Sequence, residues 1–351
     1  MKPAPSDDHL ESELSIEIAA PYYDEDLHAW VLSRYADVLA AFREPGLVPA
    51  GAKAKKVPAA AENDSRDDGP RLKMRAETLD ALSPQQLREW SAELTSIAHD
   101  QVRTLPTDRA VDLVAELAQP LCLRLAVMVT GVDPDDAEEL RRIAQPVSDA
   151  AAEPYDPLMS AQAAKANLLL RGYFRVGPEP LRDSGFVALS HTVPCLLANS
   201  WFALLEHPES WHRLHREPDL MTQAVEEMLR YAGLTRTLFR SATEDVDING
   251  LRIRTGDHLV LRILAANHDP ERFPEPQQFD VTCPHSGQLS LGTGAHACVG
   301  ASLIRMAMIA ITGPLVERFS VAHFTGAVEW KGGSSFRSPA SLPVLLQEGS
   351  A

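Results

Sequence analysis

The residues most able to do chemistry lie near the end of the chain, in the stretch L-S-L-G-T-G-A-H-A-C-V-G at positions 289–300. Three glycines, Gly292, Gly294 and Gly300, surround Cys298, and an apolar helical pattern begins at Ala301. A cysteine just ahead of a helix feels the positive end of the helix dipole, which favours thiolate over thiol. Glycines at this density let a backbone turn tightly and lie flat against a bulky planar group. Together these features suit a thiolate held out to a metal, and haem iron is the metal most in need of such a bed. The same residues equally describe a loop around a buried, inert cysteine. Two further features bear on the choice. Glu227 and Arg230 stand three apart on one helical face, placed to pair, and an exposed pair of that kind contributes little. Arg240 follows on the next strand, where a lone arginine is usually solvated.

The elements that must position these residues can be traced in the pattern. Trp30–Leu32 suits a strand, and Tyr35–Phe42 has helical spacing that ends at Pro45. Residues 1–20 read as a loose leader. Residues 47–70, rich in Ala, Lys, Pro, Asn, Asp and Gly, read as one long loop. Helical patterns run from Arg71 to about Arg103 with a break at Ser83-Pro84, and from Val111 to Val129 with Gly131 beyond the end. Others cover 135–151, 160–175 and 214–231. Between them, 183–206 is a long apolar helix carrying Ser190, His191 and Thr192, with Pro194 removing a backbone donor and kinking it. After Gly233 the pattern alternates through 236–264 with turn signals at Asn249-Gly250 and Gly256-Asp257, as a small antiparallel sheet would. Coil leads to the cysteine loop, Ala301–Phe319 is helical, and the tail turns at Gly332-Gly333 and Ser338-Pro339. The fold expected is mainly α with a minor antiparallel β portion, in a single domain over 1–351.

Composition excludes several classes. The 351 residues carry 45% hydrophobic and 23% charged side chains, enough for a substantial core. A net charge of −16 argues against nucleic acid, whose binding rests on cationic contacts to phosphate. The four cysteines lie far apart and form neither a disulfide framework nor a zinc pattern. The polar, acidic start carries no apolar leader, and the expectation is a soluble cytoplasmic protein that uses no membrane.

Taken in order, A-V-E-E-M-L-R-Y (224–231), F-R-S-A-T-E-D-V-D-I-N-G (239–250), A-A-N-H-D-P-E-R-F-P-E-P-Q-Q-F-D (265–280) and L-G-T-G-A-H-A-C-V-G (291–300) resemble the soluble bacterial cytochromes P450. The resemblance implies a haem-thiolate fold with haem b as cofactor. It makes Cys298 the axial ligand and places His296 and Arg240 at the haem propionates, with Lys73 or Arg75 at the other propionate contact. Glu227 and Arg230 become structural, holding the region that cradles the loop.

The chain also departs from the family pattern. Leu291 stands where an aromatic usually opens the loop, which bears on thiolate exposure and potential. The arginine that usually joins Glu227 and Arg230 is missing at Gln278 and Cys283, so another donor must satisfy Glu227. The oxygen-activating run, of the form A-G-x-D/E-T, is here Ala188-Leu189-Ser190-His191-Thr192. Thr192 is kept, while the acid that relays protons with it is replaced by His191. That imidazole is a substitute relay, a substrate contact, or a polar residue turned away from iron. The shortened region before the central helix suggests an open pocket for a large or carrier-bound substrate.

Three functions are consistent with this sequence. The first is a monooxygenase fed electrons by a ferredoxin and its reductase, inserting one oxygen atom into a small, secondary-metabolite type of molecule. The second is a haem-thiolate enzyme without standard oxygen activation, driven by peroxide or catalysing dehydration, rearrangement or oxidative coupling. The third is a non-catalytic haem-binding protein. Pocket walls are expected from 47–70, Leu189–Pro194, Leu234–Leu238 and Ser335–Pro339.

Overall fold

A computed structural model describes residues 18–50, 69–174, 181, 183–283 and 287–349. The chain opens with β1 (Tyr22–Asp24), β2 (Ala29–Leu32), α1 (Tyr35–Arg43) and β3 (Leu47–Pro49). Helices α2 (Gly69–Ala81) and α3 (Pro84–Thr104) follow. The expected loop at 47–70 therefore starts as a strand and ends in a helix, while 51–68 and most of the leader lie outside the described residues. Ser83 caps α3, its Oγ accepting from the Gln86 N–H at 3.3 Å, with Pro84 in the first turn. The N-terminus of α1 has no local side-chain cap. Asp269 supplies one from far along the chain, its Oδ2 accepting from Tyr35 N at 2.7 Å.

The apolar run 111–129 does not form one helix. It divides into β4 (Val111–Asp112), a π-helical turn (Val114–Ala118) and α4 (Gln119–Thr130). Val111 pairs with Val344, which fixes the start as strand. Pro120 then lacks the N–H that would close onto the Glu116 carbonyl, and Gln101 Nε2 donates to that carbonyl instead, at 3.1 Å. Gly131 ends α4 in the left-handed conformation, as its type implies.

Next come α5 (Ala137–Ala152) and α6 (Pro157–Tyr173), then the central helix in three joined parts. These are α7 (Asp183–Val187), a π-helical turn (Ala188–Thr192) and α8 (Val193–Glu206). Its Ser184–Glu206 stretch is long and apolar enough to cross a membrane, yet 78% of its apolar window is buried inside the fold, where Trp201 donates to Thr312 Oγ1 at 3.0 Å. The pattern read as one helix over 214–231 is α9 (Pro208–Arg216), a single 3-10 turn at Pro218–Leu220, and α10 (Met221–Tyr231). Pro218 interrupts the ladder between the two.

The remaining elements are β5 (Thr237–Ala242), β6 (Val246–Ile248), β7 (Leu251–Ile253), β8 (His258–Arg262), α11 (Ile263–Asn267), α12 (Ala301–Arg318), β9 (Phe319–Phe324), β10 (Trp330–Gly332), β11 (Arg337–Pro339) and β12 (Pro343–Glu348). The largest sheet has the order β1-β2-β8-β5-β3. All its pairs are antiparallel except β2–β8, which run parallel. Smaller antiparallel sheets join β4-β12-β9, β10-β11 and β6-β7. The fold is thus mainly helical with minor sheet, as the pattern implies.

Two large apolar clusters form most of the core, beside a small one of Ala29, Val31 and Val260. One gathers the central helix, α4, α10 and α12, and the other packs α1 on the five-stranded sheet. The stretch around Cys298 bridges them. Leu289 belongs to the sheet cluster, whereas Leu303 belongs to the helical cluster and Leu291 packs against it. Both halves of the core therefore set the position of the loop.

Candidate active site

The loop is a tightly bonded reversal. Gly292 N donates to Leu289 O at 2.9 Å, Cys298 N to Leu291 O at 2.8 Å, and Ala297 N to Gly294 O at 3.2 Å. Gly292 and Gly294 have φ of 67° and 73°. A Cβ on Gly294 would lie 2.8 Å from the Phe42 carbonyl oxygen. Both positions need glycine for their left-handed backbone, and Gly294 also for its close packing on the end of α1. Gly300 caps α12, and a Cβ there would meet Cys298 Sγ at an ordinary 4.0 Å.

Burial pushes the Cys298 thiol pKa up, while the Gly300 N–H, Arg75 and Arg305 act in the opposite direction without overcoming it. The helix end alone does not produce the expected thiolate. A cation bonded to sulfur would, which is the chemistry of a metal ligand.

Side chains from three directions hold the loop. Asn267 is fully buried, and its Oδ1 accepts from Leu289 N at 2.7 Å while its Nδ2 donates to Ser290 Oγ at 2.8 Å. Ser290 Oγ in turn donates to Leu229 O at 2.5 Å. From α2, Arg75 Nη1 donates to Ala297 O at 2.7 Å. Arg305 on α12 pairs with Glu226 of α10, which also accepts from Gln288 Nε2 at 3.3 Å. His296 sits half-buried in the 3-10 turn Gly294–His296. Lys73 lies on the same helix as Arg75, α2. Its side chain is 75% exposed and pairs with Glu77, one turn on, at 3.9 Å. Leu291, in the aromatic's place, is half-buried against the helical cluster.

Glu227 and Arg230 are no surface pair, both side chains being at most 1% exposed. Arg230 Nε and Nη2 donate to the two Glu227 oxygens at 2.7 and 2.8 Å. The same guanidinium reaches the carbonyls of Pro276 (2.8 Å), Gln278 (2.9 Å) and Asn267 (3.1 Å). The donor that replaces the missing arginine is main chain, since Asp280 N donates to Glu227 Oε1 at 3.0 Å. The region is satisfied, not loose.

Arg240 lies on β5, 5% exposed, with Nη1 donating to Phe239 O at 2.9 Å and the guanidinium 5.6 Å from the Phe42 ring centre. Its Nε is buried and has no partner among the described residues. A buried, permanently charged group with an open donor fits a carboxylate ligand. Cys298 offers the soft ligand iron takes and Arg240 the open donor a propionate takes, so the residues present fit a haem.

On the central helix, Pro194 offers no N–H and the ladder widens ahead of it, with Val193 N reaching back to Ala188 O. His191 Nε2 lies 2.9 Å from Arg141 O on α5. A carbonyl only accepts, so Nε2 carries the proton and donates. Burial pushes the imidazole pKa down, which leaves the ring neutral with its Nδ1 lone pair available. His191, Thr192 and Cys195 line a cavity of about 100 Å³, together with Leu234, Phe336 and Ser338. Leu189, expected in its wall, is buried in the helical core instead. Sequence reading missed one wall altogether, formed by Gln145, Ser148 and Asp149 of α5 and by Lys331 of β10. It also passed over Asn267, although A-A-N-H-D-P pointed to it.

A family model described as Cytochrome P450 matches residues 202–331. Cytochrome P450 monooxygenase PikC of Streptomyces venezuelae is 30% identical over 296 residues, which cover 75% of this chain and 70% of that protein. Nocardicin C N-oxygenase of Nocardia uniformis subsp. tsuyamanensis is 29% identical over 94% of this chain and 92% of its own. Among solved structures, P450BioI in complex with a hexadec-9Z-enoic acid ligated acyl carrier protein superposes with a TM-score of 0.80 at 23% identity, covering 91% of this chain and 92% of that one. The clamped cysteine loop, the buried Glu227–Arg230 pair and these matches agree: the chain belongs to the cytochrome P450 family, haem-thiolate oxidoreductases, and is a monooxygenase of that kind.

Proposed function

We propose that the chain is one haem-thiolate unit in which Cys298 ligates the iron, and that it hydroxylates or otherwise oxygenates a small secondary-metabolite type of molecule. The observation that carries the assignment is the Cys298 loop, pinned from α2, α10 and α11, together with an Arg240 whose buried Nε lacks a partner among the described residues. A thiolate-held haem, when bound, supplies activation of dioxygen and transfer of one of its atoms to a carbon or heteroatom. Arg240, His296 and Arg75 would hold the propionates, each offering a donor or cation to a carboxylate. The Asn267–Ser290–Leu229 chain fixes the loop's entrance, so the sulfur is held in place before any ligand arrives.

Thr192, which lines the cavity, offers a hydroxyl that would hold and pass on a proton there. His191 does not copy the missing acid. Its protonated nitrogen is engaged by Arg141 O, which ties the π-helical turn to α5, and its other nitrogen can only accept a proton. We therefore assign His191 to positioning, with Nδ1 facing the cavity. That substitution also supports a second reading, in which peroxide replaces dioxygen and reductant. Electrons would come from a ferredoxin and its reductase, in the cytoplasm. The substrate is a free small molecule like those of the two oxygenases above, or a carrier-bound acyl chain like that seen with P450BioI.

The test is a coupling measurement. Thr192→Ala should raise the share of reducing equivalents lost as hydrogen peroxide, while His191→Gln should leave that share nearer the wild-type value. Unchanged coupling in Thr192→Ala would remove Thr192 from the mechanism, and full turnover with peroxide in place of dioxygen and reductant would favour the second reading.

A further inference from the structure

The cavity beside Thr192 is lined by one buried polar group that the protein satisfies only in part. His191 is 7% exposed, and its Nε2 donates to Arg141 O at 2.9 Å. Burial is the largest influence on the ring and holds it neutral. Arg141 and Lys331 push the same way, while the bond to the Arg141 carbonyl and the charge of Asp149 push back. A neutral imidazole with its proton on Nε2 keeps a lone pair on Nδ1, and that atom only accepts.

No donor among the described residues meets Nδ1. The polar groups around it are committed elsewhere. Ser190 Oγ, one residue back, donates to Phe186 O at 2.7 Å, and Gln145 Nε2 on the α5 wall donates to Asp149 Oδ1 at 2.7 Å. Asn199 Nδ2, two turns along the central helix, donates to Arg337 O at 3.0 Å. With Nε2 turned to α5, Nδ1 is the polar atom left for the ring to present to the cavity it lines. The π-helical turn places His191 and Thr192, neighbours in sequence, in the wall of that one cavity. A buried acceptor without a partner is costly, so a ligand that brings the missing donor gains more than the same bond gives on a surface. A ligand that brings only an acceptor sets lone pair against lone pair and is disfavoured.

We propose that His191 is a specificity residue whose Nδ1 accepts from a hydroxyl or N–H of the substrate, holding the molecule one residue along from Thr192. The substrate is then a hydroxyl- or amide-bearing molecule rather than a plain acyl chain, which has no donor along its length. This rests on the reading of the cavity as the substrate site of a haem enzyme.

The experiment uses haem-loaded protein and imidazoles carrying an ω-hydroxyalkyl tail on nitrogen, in a series of tail lengths, each beside its methyl ether. The ether keeps the oxygen as an acceptor and loses the donor. Binding of the imidazole to iron shifts the Soret band and gives Kd directly, without turnover. At the best tail length the alcohol should bind about fivefold more tightly than the ether. His191→Phe removes both ring nitrogens and should abolish that preference, whereas a purely structural role would weaken both members of each pair alike and leave their ratio unchanged. His191→Gln, whose amide can donate to Arg141 O and still accept from the ligand, should keep part of it. Equal binding of alcohol and ether at every length in the wild type would overturn the proposal whether or not the variants fold, and so would a preference that survives in His191→Phe. Both outcomes leave the haem site standing. Failure of every imidazole to shift the Soret band would instead overturn the reading of the cavity on which the proposal rests.

Discussion

Replacing Glu227 by Gln keeps the shape of the side chain and removes the charge beside a guanidinium that is 1% exposed. Arg230 then remains buried and charged, still bonded to the carbonyls of Asn267, Pro276 and Gln278, but with no anion to balance it. The glutamine amide must also place an N–H2 where an oxygen accepts from Arg230 or from Asp280 N. Breaking a buried ion pair from one side costs ~3–5 kcal/mol, because the other charge is left uncompensated. Against a typical total of ~5–15 kcal/mol, that is a large share. Urea titration of haem-loaded and haem-free protein at neutral pH should read this loss. Haem content at purification should fall with it, since the three carbonyls belong to the segment that leads into the cysteine loop. Glu227→Gln combined with Arg230→Met should cost less than the two single changes added, because the pair is lost together. A loss under about 1 kcal/mol for Glu227→Gln would refute the claim that this pair supports the site.

Two other predictions follow from single side chains. Arg240→Met should leave the haem-free protein as stable as wild type, since it removes a buried donor that has no partner, yet it should speed haem loss to an acceptor such as apomyoglobin; a destabilised haem-free form would make Arg240 purely structural. His268 is buried with Nδ1 bonded to Leu264 O at 2.9 Å and Nε2 without a partner among the described residues, and burial lowers its pKa to about 4. Its folded pKa is below the ordinary 6.5, so the unfolded chain binds the extra proton between about pH 6.5 and 4, and stability falls as pH drops through that window. The contribution is at most ~3 kcal/mol, and His268→Gln should flatten the stability–pH curve there; identical curves for both proteins would contradict it.

The proximal half of the site was legible in sequence because its residues sit in short, ordered motifs. The Cys298 loop, Glu227–Arg230 and Arg240 each lie within a dozen residues of a recognisable pattern, and the fold packs those patterns against one another. What Gly294 packs against was not legible. Gly294 answers to the Phe42 carbonyl some 250 positions earlier in the chain, a contact that only the packing of α1 reveals. Likewise, the replacement for the missing arginine is a backbone N–H at Asp280, and main-chain donors leave no mark in side-chain identity. The run 111–129 misled for a related reason: apolar continuity hid a strand whose pairing partner, Val344, lies near the other end of the chain. The polar wall of the cavity is the clearest case. Asp149 and Lys331 lie far apart in the chain, and only the hairpin folded back on α5 brings both near His191.

The central claim is that Cys298 gives a thiolate to haem iron, and the reduced protein under carbon monoxide tests it most directly. Haem-loaded wild type should show the strongly red-shifted Soret band of thiolate-ligated ferrous iron, and Cys298→Ala should bind haem without that band or fail to bind it. A wild-type Soret band at the position typical of histidine ligation, or a red-shifted band that survives in Cys298→Ala, would contradict the account.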